Sequence, residues 1–141
     1  MIALDTNLLV YAHRAALPEH RAARRAIERA SRDPRGWGIP LPCVGEFWSV
    51  VTHPGCQGGP SPGPLAAGFL RALVDAGAAI WNPGEQFWRR FTQLAADLGI
   101  QGPRVFDLQI ALVAFDHGAT EIWTHDRNFA RFPGLRMHDP L

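Results

Sequence analysis

Short apolar runs alternate along the chain with longer stretches in which apolar positions recur at helical spacing. Met1–Leu4 is too short for a helix and reads as a buried strand. A helical turn follows over Asn7–His13, which Asp5 or Thr6 can cap. Pro18 suits a first helical position, and Glu19–Arg32 then carries Ala22, Ala23, Ala26, Ile27 and Ala30 on one stripe with arginines outside. Asp33-Pro34 stops that helix. Trp37–Ile39 makes a second strand, Pro42–His53 a helix ended by Pro54-Gly55, and the Gly/Pro-dense Gln57–Pro64 a loop. Pro64–Gly77 reads as a helix, Ala78–Pro83 as a strand, and Gly84–Gly99 and Pro103–Gly118 as two more helices. Glu121–Asp126 is the last core strand, and Asn128–Leu141 gives a turn of helix and an edge strand.

Strands alternating with helices imply an α/β fold with a parallel sheet covered on both faces. The 141 residues suffice for one domain, residues 1–141, with a single core. In such sheets ligands bind beyond the carboxyl ends of the strands. Asp5 directly follows the first strand and Asp126 closes the last core strand, so acids from opposite ends of the chain point toward one crevice.

Composition narrows the class. The chain is 47% apolar and 19% charged, without repeats or low-complexity runs. It begins without the pattern of a secretory leader, and no apolar stretch approaches the roughly 20 residues of a membrane span. A soluble, cytoplasmic protein is expected, with no membrane partner. Cys43 and Cys56 fit neither a disulfide framework nor a zinc site and read as reduced thiols, Cys43 in the core. The six histidines are scattered, which argues against a histidine metal centre. A net charge of +1 argues against nucleic-acid binding by bulk charge. Every basic residue is Arg, however, and residues 14–35 hold seven Arg against Glu19, Glu28 and Asp33, a local excess of +4. Guanidinium suits phosphate through two parallel hydrogen bonds, although a solvated helix face explains the run equally well.

Two more acids stand in apolar surroundings. Glu46 lies among Cys43, Val44, Phe47, Trp48, Val50 and Val51, and Asp107 shares its helical face with Ile110, Ala111 and Ala114. Both are expected near the starts of their helices, on the side that meets the strand ends. Singly, each of the four acids has an ordinary explanation. A first-turn acid gains about 0.3–1 kcal/mol from the helix dipole, Asp5 could simply cap, and Asp126 could open a turn. Together they are costly, because an unpartnered desolvated carboxylate loses several kcal/mol and no Arg is near Asp5 or Glu46 in sequence. A bound cation would compensate all four. Carboxylate oxygen suits Mg²⁺ or Mn²⁺, which complete their shells with water and substrate phosphate oxygens. The chemistry that follows is phosphodiester hydrolysis, one metal activating water and a second stabilising the leaving oxygen. Asn7 and Thr124, two residues from Asp5 and Asp126, could orient the carboxylates, whereas His125 reads as a surface residue.

The pieces IALDTNLLVYA, CVGEFWSVVTHP, RVFDLQIALVAFDHG and EIWTHDRNFARFPGLR together resemble a PIN-domain ribonuclease, specifically a VapC-type toxin of bacterial type II toxin–antitoxin pairs. The resemblance spans almost the whole chain and implies a PIN-like three-layer α/β/α sandwich with a mainly parallel central sheet. It implies an acidic metal site at Asp5, Glu46, Asp107 and Asp126, supported by Asn7 and Thr124, with Mg²⁺ or Mn²⁺ as cofactor. It implies cleavage of RNA, tRNA or rRNA, a VapB-type antitoxin that fills the active-site groove, often with an Arg, and a homodimeric toxin. One departure is Asn128, where family members often carry another acid; this weakens the case for a second metal.

Two other readings compete. A phosphoaspartate enzyme of the haloacid-dehalogenase kind also starts with an acid after strand one, but it requires a second Asp where Asn7 stands, and a Lys where this chain has none. A PIN-like module that only binds RNA or protein would not need all four acids.

Overall fold

The computed structural model describes residues 1–141. The strands are β1 (Ile2–Leu4), β2 (Trp37–Pro40), β3 (Ala79–Trp81), β4 (Glu121–Trp123) and β5 (Arg136–His138). The helices are α1 (Thr6–His13), α2 (His20–Ser31), α3 (Leu41–Val51), α4 (Gly63–Asp75), α5 (Phe87–Asp97) and α6 (Arg104–Asp116). The sheet runs β3-β2-β1-β4-β5 and every pairing is parallel, so the fold is an α/β/α sandwich. Its central strands β1, β2 and β4 are buried throughout, as a parallel sheet covered by helices requires.

Strand order explains where function can sit. From β1 the chain steps outward through β2 to β3, then returns across the sheet to β4 on the other side of β1. The order therefore reverses between β1 and β4, and their carboxyl ends diverge into a crevice there. Leu4 pairs with Trp123, and the Asp5 N–H donates to the Trp123 carbonyl at 3.0 Å, so Asp5 leaves the sheet at that point.

Packing fixes the remaining layers. Phe47, Ile39, Ile110, Leu112 and Ile122 are fully enclosed at the centre. Gly38 in β2 is required by close approach, since a Cβ there would fall 2.4 Å from the Trp81 ring of β3. The arginines of α2 face outward over the buried stripe Ala23, Ala26, Ile27 and Ala30, while Ala22 is half-buried. Arg32 pairs with Glu28, Arg35 with Asp33, and Arg29 lies over the Trp123 ring at 5.5 Å. Arg21, Arg24 and Arg25 make no ion pair, so the segment is a solvated face paired only toward its end.

Several boundaries differ from those expected. Pro18 lies in the turn before α2 rather than at its first residue, because the chain makes successive turns at Arg14–Leu17 and Leu17–His20. Helix α4 starts at Gly63 and α5 only at Phe87, after a turn at Gly84. Strand β4 ends at Trp123, because the Thr124 side chain turns toward Asp5. Residues 127–131 form a turn and no helix. Glu46 lies in the second turn of α3, not at its start, and Trp48 and Val50 are exposed. A helix apolar almost all round carries no phase from which to read its buried side.

Candidate active site at the strand-order reversal

Asp5 is the hub. It is 5% exposed, and its carboxylate accepts three hydrogen bonds: from the Thr6 N–H at 2.7 Å, the Asn7 amide at 2.8 Å and the Thr124 hydroxyl at 2.6 Å. The Thr124 oxygen in turn accepts from Asn7 at 2.9 Å and from the Asp126 N–H at 3.0 Å. The Asn7 carbonyl accepts the His125 N–H at 3.1 Å. Asn7 and Thr124 thus stitch the start of α1 to the segment after β4 across the crevice, and the Thr124 hydroxyl both donates and accepts.

The helices bring the other acids. The Thr6 hydroxyl donates to Glu46 at 2.6 Å, tying the second turn of α3 to the start of α1. Asp107 stands half-buried in the first turn of α6, where the Ala130 N–H favours its ionised form. Asp126 is exposed and accepts the Asn128 N–H at 2.8 Å.

Electrostatics show how close these groups are. Burial pushes the Asp5 carboxyl up to about 6, against the Thr124 and Thr6 hydrogen bonds, and the charges of Glu46 and Asp107 add to the rise. The Asp107 carboxyl is also raised, chiefly by burial and then by Asp126 and Glu46. Each of the four acids is therefore within electrostatic reach of at least one other. None of them forms an ion pair with an Arg or His. Glu121, at the opposite edge of the sheet, is a contrasting case: it is buried but bonded to Trp123 and paired with Arg136 and Arg35.

No three His, Cys, Asp or Glu side chains are drawn close enough to hold an ion alone. That spacing suits a hard divalent ion such as Mg²⁺, which keeps several waters and takes only one or two carboxylates. A buried carboxylate without an ion-pair partner, within electrostatic reach of Glu46 and Asp107, is a donor set that such an ion fits. The larger hollows, 380–650 Å³, contain none of the four acids, and a 220 Å³ cavity touches one, Asp126.

Sequence reasoning missed Thr6 and the Ala130 N–H. Thr6 was visible only as a possible cap, and nothing local signals a hydroxyl that reaches forty residues away to Glu46. His125 is held by Asp139 at 3.0 Å on the rim, and Cys43 is enclosed, its thiol pushed well up by burial.

The PIN domain family model matches residues 2–135. A VapC ribonuclease of Mycobacterium bovis and ribonuclease VapC43 of Mycobacterium tuberculosis are each 39% identical over 142 residues, covering 100% of this chain and 96% of theirs. Among solved structures, the sarcin–ricin-loop-cleaving toxin VapC20 of Mycobacterium tuberculosis superposes with a TM-score of 0.70 at 14% identity, covering 92% of both chains. The VapBC2 complex of Rickettsia felis, bound to promoter DNA, gives 0.70 at 20% identity over 98% of both chains.

Proposed function

The chain belongs to the VapC ribonucleases of the PIN-domain family, and from that premise we propose that Asp5, Glu46, Asp107 and Asp126 form its hydrolytic site. It is the toxin endoribonuclease of a type II toxin–antitoxin pair, dependent on a metal ion for hydrolysis of RNA. The phosphoaspartate alternative falls with this assignment: Asn7, where that chemistry needs an acid, spends its amide on Asp5 and Thr124.

The single observation that carries the site is the Asp5 carboxylate, buried, triply hydrogen-bonded and unpaired with any cation. Mg²⁺, replaceable by Mn²⁺, would bind at Asp5, with Glu46, Asp107 and Asp126 reaching it directly or through its waters. When bound, the ion supplies Lewis acidity that activates water and stabilises charge on the phosphodiester. The protein's own part is positioning. Thr124 and Asn7 lock the Asp5 carboxylate, Thr6 holds Glu46, and the Ala130 N–H steadies Asp107.

The substrate is a structured RNA, tRNA or a ribosomal RNA loop; the loop-cleaving toxin of the same fold supports the second. One domain, residues 1–141, carries this activity in the cytoplasm as a homodimer with a VapB-type antitoxin. Trp48 and Val50 on α3 and Leu65 on α4 are exposed apolar residues. No helix is long and apolar enough to cross a membrane. The test is cleavage of tRNA and ribosomal RNA fragments by purified protein with Mg²⁺, with Mn²⁺ and with chelator. Cleavage that requires the metal supports the reading, and metal-independent or absent cleavage overturns it.

A further inference from the structure

The acids of the proposed site repel a polyanion, so the nucleotides flanking the cut must be held by cations close by. The chain after Asp126 provides them. Residues 127–132 are seated from beneath: Phe129 is 4% exposed, and Phe132 packs on Phe115 with ring centroids 5.3 Å apart. Arg127 and Arg131 are left outside, exposed, and neither makes a hydrogen bond or ion pair within the protein.

Two cavities meet at these residues. One, of 220 Å³, borders on the acids Asp126 and Asp139 and is walled by His125, Arg127, Met137 and His138. The next, of 590 Å³, shares Arg127 and Met137 and continues past Arg131 to Phe132 and Leu135. Joined at these two residues, they make a trough that leads from Asp126 along β5. Its rim carries free guanidinium groups and its wall carries rings and a thioether. Single-stranded RNA asks for that combination, phosphates on Arg and bases on flat or soft apolar surfaces. His125 is fixed for such a role by its 3.0 Å contact with Asp139 and its edge-on contact with Tyr11.

We propose that this trough is the substrate track, with Arg127 and Arg131 gripping phosphates beside the scissile one and the cavity at His125, Met137 and His138 receiving a flanking base. The inference rests on the ribonuclease reading and names where that substrate lies. An acidic protein segment could also meet two arginines, but the trough borders Asp126, one of the acids of the proposed site, which favours RNA.

The experiment compares the wild type, Arg127→Ala/Arg131→Ala and Arg127→Lys/Arg131→Lys, with Arg71→Ala, exposed on α4, as the control. Fluorescence anisotropy with a labelled single-stranded oligoribonucleotide in chelator gives affinity across a salt series, and cleavage in Mg²⁺ gives kcat and KM. The double Ala variant should lose tenfold or more in affinity, with KM raised and kcat kept. Its slope of log affinity against log salt should fall by about 1.4, roughly 0.7 for each single-strand phosphate released. The double Lys variant should recover most of the binding, and an unchanged melting temperature should show that folding is intact. An unchanged slope and KM, with wild-type cleavage intact, overturns the trough alone. Dissociation of a dimer by the Ala substitutions with RNA binding unchanged assigns the trough to a second copy and also overturns it. Failure of the wild type to bind or cleave any RNA removes the ribonuclease reading as well.

Discussion

Asp5 is held in two opposing ways. Three hydrogen bonds favour its charge, yet burial outweighs them and lifts its carboxyl to about 6. Below an ordinary carboxyl value of 3.8 both folded and unfolded chains are protonated here. Between there and about 6 the unfolded chain has released its proton while the folded chain keeps it, so stability falls as pH rises. The loss, on the order of 3 kcal/mol, is complete above that window. Without metal, denaturant unfolding at pH 4 and pH 7 should therefore show the wild type losing stability relative to Asp5→Asn. Parallel pH curves for the two proteins would count against a buried, uncompensated charge. Millimolar Mg²⁺ or Mn²⁺ should raise the wild-type melting temperature at pH 7 and leave that of Asp5→Asn unmoved. Asp5 was legible as odd because a charge ends a buried strand. Its network was not, because Thr124 lies 119 residues away and only the β1–β4 pairing brings it close.

At the scale of elements, what repeats locally was legible and what depends on a neighbour was not. The five strands and the buried stripe of α2 follow from period and punctuation. The outward turn of Trp48 and Val50 and the early start of α4 depend on packing between α3 and α4, where the Trp48 ring lies 3.5 Å from a Cβ placed at Gly63. Two substitutions test element contacts. Gly38→Ala drives a methyl into the Trp81 ring and should cost about 1–3 kcal/mol in denaturant unfolding. Thr6→Val removes the hydroxyl that fixes Glu46 and should lower kcat about tenfold or more with the fold retained. Unchanged turnover in the Thr6→Val protein would show that Glu46 is placed by α3 alone.

Across the whole molecule the two edges of the sheet carry different duties. At the amino edge, Glu121 is bonded and paired, and the Trp123 and Arg136 contacts hold its carboxyl below the usual range. That pairing contributes stability present at neutral pH and lost as pH falls through its lowered value. Glu121→Gln should cost about 1 kcal/mol at pH 7, since its arginines are solvent-screened, and leave RNA cleavage intact. At the carboxyl edge, where the strand order reverses between β1 and β4, Asp5 is buried without an ion-pair partner and the proposed site lies beside it. The most direct test is the rate of Mg²⁺-dependent RNA cleavage by Asp5→Asn, beside Asp33→Asn at the surface pair with Arg35. Asn would cap α1 about as well as Asp, so a capping role alone predicts little change. The metal-site account predicts a loss of several orders of magnitude for Asp5→Asn in a folded protein and near-normal cleavage for Asp33→Asn. Near-normal cleavage by Asp5→Asn would contradict it.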